Sequence, residues 1–238
     1  MDFYGFYTGK IFDAYEFLGA HPDKDGTTFR TFAPAASRIT VIGEFNDWQE
    51  WELNKTYDGN FWECYAKGAK PGMMYKYRIY DRSGNAVEHC DPYGFGMELR
   101  PNSASIIRDM NKYKFKDSQW MQNRSDCRKK PLNIYEIHFG SFRKPSDKAD
   151  DWYNYEEMID ILIPYLVKNG YNYLEIMPLN EYPCDESWGY QDTGYFSPTA
   201  RYGKPEELKS FVDQCHQAGI GVILDFVPVH FAVNDYAL

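Results

Sequence analysis

A chain of 238 residues with 43% hydrophobic and 26% charged residues lies in the ordinary globular range, which excludes disordered and fibrous classes and allows one or two domains. Its net charge of −9 at pH 7, with no basic run longer than Arg128-Lys129-Lys130, excludes a nucleic-acid-binding face. No stretch reaches the roughly 20 apolar residues of a membrane span, so no membrane partner is expected.

Aromatic residues make up 18% of the chain, which fits either a β-rich core filled by rings or faces that stack on sugars. Composition alone favours the core, where such side chains are most often found. The cysteines Cys64, Cys90, Cys127, Cys184 and Cys215 are odd in number and contain no Cys-x-x-Cys pair, and no apolar leader precedes them. That pattern reads as free thiols in a reducing, cytoplasmic setting, without cysteine-bound metal.

From about residue 26 to residue 107, short apolar runs alternate with turn residues. Residues 28–32, 38–43, 59–67 and 73–80 read as strands, separated by Ala33-Pro34, Phe45-Asn46-Asp47-Trp48, Pro71-Gly72 and the turn 81–85. This grammar predicts a small antiparallel β-sandwich over residues 1–110. Residues 111–130 read as a polar linker containing a lone Trp120.

After Pro131 the period changes. Residues 132–139 form a strand-like run, followed by a helix in which Met158, Ile161, Leu162, Tyr165 and Leu166 share one face. Asn154 and Glu157 form a capping pair and Gly170 a stop, while Pro164 is expected to kink or split the helix. A second strand covers 173–177. A second helix starts near Pro205, carries Leu208, Phe211, Val212 and Cys215 on one face, and closes at Gly219. A third strand covers 221–227. Strand–helix–strand–helix–strand predicts parallel βα units over residues 131–238, with Glu136, His138, Glu181, Asp225 and His230 near the strand ends where ligands gather in such folds.

Six collinear motifs then resemble one known family, and they span nearly the whole chain. Tyr15-Glu16-Phe17-Leu18-Gly19-Ala20-His21 resembles the sandwich entry of glycogen (1,4-α-glucan) branching enzymes. Gly43-Glu44-Phe45-Asn46-Asp47-Trp48 and Tyr75-Lys76-Tyr77-Arg78-Ile79 resemble their glycogen-binding sandwich module. Tyr135-Glu136-Ile137-His138-Phe139-Gly140-Ser141-Phe142 is similar to the first barrel strand of the α-amylase family of glycoside hydrolases. Asp185-Glu186-Ser187-Trp188-Gly189-Tyr190-Gln191, followed by the run 193–203, is similar to the second strand's loop. Asp225-Phe226-Val227-Pro228-Val229-His230-Phe231 resembles the third-strand signature. Any one match is weak, and their order makes them specific.

The resemblance implies a multidomain β plus α/β chain: a sandwich module, then the first three βα units of an incomplete (β/α)8 barrel. It implies an α-glucan partner, glycogen or a starch-like polymer. Tyr190 would be the platform beneath the sugar at the cleavage point, with Trp188 and Gln191 beside it. His230 would bind that sugar's 6-hydroxyl, and Asp225 would brace the site by hydrogen bonds. On the sandwich, Trp48 and Lys76 match glucan-contacting positions. Against each stands a plainer role: Tyr190 as loop packing, His230 as a core histidine, Trp48 as a cap on the sandwich core, Lys76 as a solvated strand residue.

Cleavage and transfer with retention need two carboxyl groups about 5–5.5 Å apart. In the family those carboxyls follow the fourth and fifth strands. Roughly 110 residues lie from Pro131 on, against about 250 for a whole barrel. The expectation is an amino-terminal fragment, inactive alone, with an open strand edge and an apolar inner face exposed. No cofactor or metal is expected, since such transfer needs none and the acidic residues lack a calcium-loop pattern. Two alternatives remain in sequence: a glycogen-binding module, or part of a debranching or trehalose-releasing hydrolase of the same superfamily. Gln191 and the run 195–203 favour branching.

Overall fold

The structure, a computed structural model, describes residues 1–124 and 129–237. Cys127 and Arg128 therefore lie outside the described residues. The chain forms two units: Met1–Asp109 with Thr193–Ser197 and Ala232–Leu238, and Met110–Asp192 with Pro198–Phe231.

The first unit opens with α1 (Phe3–Tyr7), capped by the Asp2 carboxylate, which accepts from the Gly5 N–H at 3.0 Å. The strands β1 (Gly19–Pro22), β2 (Gly26–Phe32), β3 (Arg38–Gly43), β4 (Trp51–Glu52), β5 (Asn54–Thr56), β6 (Phe61–Lys67), β7 (Met74–Tyr80), β8 (Ala86–His89) and β9 (Ser105–Ile106) follow. They make two antiparallel sheets, ordered β1-β2-β6-β5 and β4-β3-β7-β8, with β9 also paired to β7. The alternation read in sequence sets the faces. On β7, Tyr75 and Tyr77 are fully buried while Lys76 and Arg78 alternate with them on the other face. They join Phe29, Ile39, Val41 and Trp62 in one core, each large side chain contributing roughly 1.5–3 kcal/mol by burial. The phenols are not left unpaired there: the Tyr75 hydroxyl donates to Asp91 Oδ2 at 2.7 Å, and Tyr77 donates to the same oxygen at 3.3 Å. Burial pushes the Asp91 carboxyl up to about 6.

Segments from beyond residue 110 also join the first unit. Phe196 stacks on Tyr93 with ring centres 4.8 Å apart, and the Cys90 N–H donates to the Tyr236 carbonyl at 2.9 Å. Residues from far along the chain thus complete this unit, which local turn grammar does not encode.

The second unit contains α2 (Ser118–Asn123), β10 (Ile134–Ile137), α3 (Phe139–Phe142), α4 (Tyr155–Lys168), β11 (Tyr173–Ile176) and β12 (Asn180–Glu181). After β13 (Gly194–Pro198) come α5 (Pro205–Gln217) and β14 (Gly221–Leu224). β10, β11 and β14 form a parallel sheet in that order, the layout expected of successive βα units. Ile137, Leu174 and Ile176 face the helices and share a core with Met158, Leu162, Leu166 and Phe211. Glu136, Glu175 and Ile223 occupy one register row on the opposite face. Leu132, Ile134, Leu224 and Phe226 are exposed.

α4 is not split at Pro164: it is continuous from Tyr155 to Lys168, and Pro164 and Asp160, four residues before it, are both exposed. Residues 111–130, a polar linker in the sequence reading, make specific contacts where they are described. The Tyr113 hydroxyl donates to Asp213 Oδ2 at 2.6 Å, Asp117 lies 2.7 Å from His216 Nδ1, and Trp120 stacks on His216 at 3.7 Å, so the segment is fastened to α5. The strands also stop earlier than their apolar runs: the third ends at Leu224, not residue 227, leaving Asp225 and the residues after it as loop.

Candidate functional site

The carboxyl ends of the parallel strands bring several of the singled-out residues together. The Met177 N–H donates to the Ile137 carbonyl and the Asp225 N–H to the Ile176 carbonyl, both at 3.0 Å, so the ladder carries His138, Met177 and Asp225 out at one level. After β11 the chain makes a tight turn over Cys184–Tyr190. Trp188 sits in the left-handed region at φ 55, and its N–H donates to the Asp185 carbonyl at 3.1 Å. Gly189 follows at φ 89, where a Cβ would lie 2.5 Å from the Pro178 carbonyl oxygen. Only glycine fits that approach, and it fixes which way Trp188 and Tyr190 leave the turn.

The Tyr190 hydroxyl donates to Asp225 Oδ2 at 2.8 Å, joining the loop after β11 to the end of β14. That bond, with burial, pushes the phenol up to about 12, so it stays a donor. A second tie lies alongside: the Asp192 N–H donates to the His230 carbonyl at 3.2 Å. The His230 and Gln191 side chains are exposed. Trp188 is 50% exposed and stacks on His138 with ring centres 5.4 Å apart and planes 22° from parallel. His138 Nδ1 lies 2.9 Å from Ser141 Oγ. Burial, helped by the Arg201 charge, lowers the affinity of that imidazole for a proton, so a neutral ring backs the indole.

Sequence reasoning missed three neighbours. Glu175 stands opposite Glu136 in register, on the face away from the helices, and period-2 reading of β10 and β11 would have found it. Glu181 was read as a strand-end acid, yet it is buried as a strut. Its Oε1 accepts from Arg201 Nη1 at 2.8 Å and its Oε2 from the Ala200 N–H at 2.6 Å, while the guanidinium lies 3.7 Å from the Tyr182 ring centre. Burial pushes the Glu181 carboxyl up to about 7, and the Arg201 contact pulls the other way. Asp192 is 1% exposed, and among the described residues neither carboxyl oxygen has a hydrogen-bond partner. No local signal marks such a residue, because its isolation is a property of packing.

On the sandwich, the loop after β3 is built by Asn46. Its Oδ1 accepts from the Gly43 N–H at 2.8 Å and its Nδ2 donates to the Val41 carbonyl at 3.1 Å. Asp47 and Trp48 then both take left-handed backbone, and the Trp48 N–H returns to the Gly43 carbonyl at 2.9 Å. Trp48 is 40% exposed. Lys76 pairs in register with Ile42, the residue before that loop begins, and its ammonium lies 3.7 Å from Glu88. Among the described residues, no group of three or more His, Cys, Asp and Glu side chains is placed to hold a metal ion.

Comparison with known proteins agrees with this layout. A family described as carbohydrate-binding module 48 (isoamylase N-terminal domain) matches residues 17–94, and one described as the alpha amylase catalytic domain matches residues 158–236. The 1,4-alpha-glucan branching enzyme GlgB of Fusobacterium nucleatum subsp. nucleatum is 43% identical over 241 residues, covering 100% of this chain and 39% of that protein. The enzyme of the same description from Dechloromonas aromatica is 46% identical, covering 99% of this chain and 38% of its own length. That of Bacillus subtilis is 41% identical, covering 100% and 39%. The chain therefore resembles the amino-terminal part of these enzymes and spans about two fifths of their length. A solved structure from Salmonella typhimurium, provisionally assigned as an alpha amylase, superposes with a TM-score of 0.72 at 24% identity, covering 92% of this chain and 34% of that one, which supports the fold.

Proposed function

We propose that this chain is the amino-terminal part of a 1,4-α-glucan branching enzyme, which cleaves an α-1,4 glucan and passes the released chain to a 6-hydroxyl. In this reading the chain supplies grip, and the reacting carboxyl pair belongs to the rest of such an enzyme. The α-glucan lies across the carboxyl ends of β10, β11 and β14. Tyr190 presents its ring to the sugar at the cleavage point, Trp188 presents the indole face turned away from His138, and Gln191 and His230 offer polar groups to hydroxyls. Asp225 orients the Tyr190 ring through the phenol. The observation that carries the reading is the 2.8 Å Tyr190–Asp225 bond, which draws two separate motifs into one strand-end site. On the sandwich, Trp48 and Lys76 form a second glucan contact, supported by the module match over residues 17–94. Free thiols at Cys64, Cys90, Cys184 and Cys215 support a reducing, cytoplasmic setting.

Calorimetric titration of the chain with maltoheptaose tests the strand-end site. Tyr190→Ala should weaken binding roughly three- to tenfold, the worth of one lost ring stack, with an unchanged melting temperature. Unchanged affinity in that variant, or a fall in melting temperature without loss of affinity, would make Tyr190 a packing residue.

A further inference from the structure

A cleft of about 760 Å³ opens in the second unit at the amino ends of its strands, the end opposite Tyr190 and Asp225. Asn172, Tyr173 and Gly221 mark that level, since β11 starts at Tyr173 and β14 at Gly221. Gly221 is required there: a Cβ would fall 2.3 Å from the Tyr173 ring, so only glycine lets the ring lie across the start of β14. The Asn172 amide is already committed, donating to the Pro131 carbonyl at 2.7 Å and accepting from the Asn133 N–H at 2.8 Å.

The opposite wall is α2. Trp120 lies flat on His216 at 3.7 Å and 3° from parallel, and His216 is held in turn by Asp117 at 2.7 Å. Both His216 and Asp117 are more than nine-tenths buried, so the indole is a fixed plane rather than a mobile surface ring. Three cations, Lys116, Arg124 and Lys130, line the same cleft. Among the described residues Asp117 is the one acidic residue lining it, and that carboxylate is taken up by His216. Asp213 lends its charge to Lys116 from outside the lining. Among the described residues, Arg124 and Lys130 make no ion pair, in a chain whose net charge is −9. Arg124 and Lys130, without carboxylate partners among the described residues, repel one another, and an anion relieves that.

We propose that this cleft is a binding site for a small organic phosphate, with the phosphate held by Arg124, Lys130 and Lys116 and the body of the molecule laid against Trp120. The amides of Gln119 and Asn123 at its edge suit the hydroxyls or ring nitrogens of such a ligand. A neutral glucan would use the ring and the amides but leave Arg124 and Lys130 unanswered. The site is separate from the strand-end site, and it stands whether or not that site binds glucan.

Calorimetric titration of the 238-residue chain with ATP, a hexose phosphate, inorganic phosphate and maltotriose tests the proposal. At least one organic phosphate should bind saturably, more tightly than inorganic phosphate and less tightly as salt is raised. Arg124→Ala and Lys130→Ala, both at exposed positions, should each weaken it about tenfold without moving the melting temperature. Trp120→Leu should bring the organic phosphate down to the level of inorganic phosphate. Preference for ATP would identify a nucleotide site, and preference for the hexose phosphate a sugar-phosphate site. No saturable binding of any phosphate at millimolar concentration, binding unchanged in both cation variants, or maltotriose binding as tightly as the phosphates would each overturn it.

Discussion

Asp192 and Tyr190 stand two residues apart and show what one sequence position does and does not disclose. Burial, with the nearby Glu181 charge, pushes the Asp192 carboxyl up to about 7 from an ordinary 3.8. The folded value is raised, so the native state prefers the protonated acid. The resulting stability is full below the ordinary value and is lost as pH rises through about 7. Asp192→Asn cannot ionise, so relative to wild type it should gain roughly 2–4 kcal/mol between about pH 4 and pH 8. Denaturant melts at both pH values measure this, and a pH-independent difference would show that the carboxyl is solvated. Tyr190 was legible because Trp188, Gly189 and Gln191 surround it in sequence. Its bond to Asp225 was not, since that contact spans 35 residues and exists only once β14 lies beside β11. The bond also changes what Tyr190→Phe should do. From the ring alone the change looks mild; with the hydroxyl fixing the ring's angle, glucan affinity should fall to a value between those of wild type and Tyr190→Ala.

Elements with local signals were read well, and those built by distant contacts were not. The cap of α4 is closed as its spacing predicted. The Glu157 N–H donates to Asn154 Oδ1 and the Asn154 N–H to Glu157 Oε2, each at 2.8 Å. Asn154→Ala should cost about 1 kcal/mol, visible as a lower denaturant midpoint with an unchanged slope; a cost near zero would mean that α4 is held by its packed face alone. Pro164 does not split α4, where it lies on the exposed side of the helix. Segment 111–130 shows what composition leaves out. Its polar composition looks solvated, yet Tyr113, Asp117 and Trp120 each meet a specific partner on α5 about a hundred residues away. Strand ends were overrun because Phe226 and Val227 continue an apolar run after the ladder has stopped at Leu224.

At the scale of the molecule, two units carry separate cores, and no helix among the described residues is long and apolar enough to cross a membrane. The sandwich core draws its residues from positions 20–107, so a polypeptide of residues 1–110 should melt cooperatively even without Phe196 and Tyr236. A broad transition would show that the returning segments are essential to it. On the proposed reading, these 238 residues hold α-glucan for a branching reaction whose reacting carboxyls belong to the rest of such an enzyme. The most direct measurement replaces the aligned amino-terminal segment of the Bacillus subtilis branching enzyme with this chain, incubates the chimera with amylose, and counts α-1,6 linkages by NMR. New α-1,6 linkages should form with the chimera, far fewer with its Tyr190→Ala form, and none with the 238-residue chain alone. Linkages formed by the chain alone, or a folded chimera that forms none while the parent enzyme does, would contradict it.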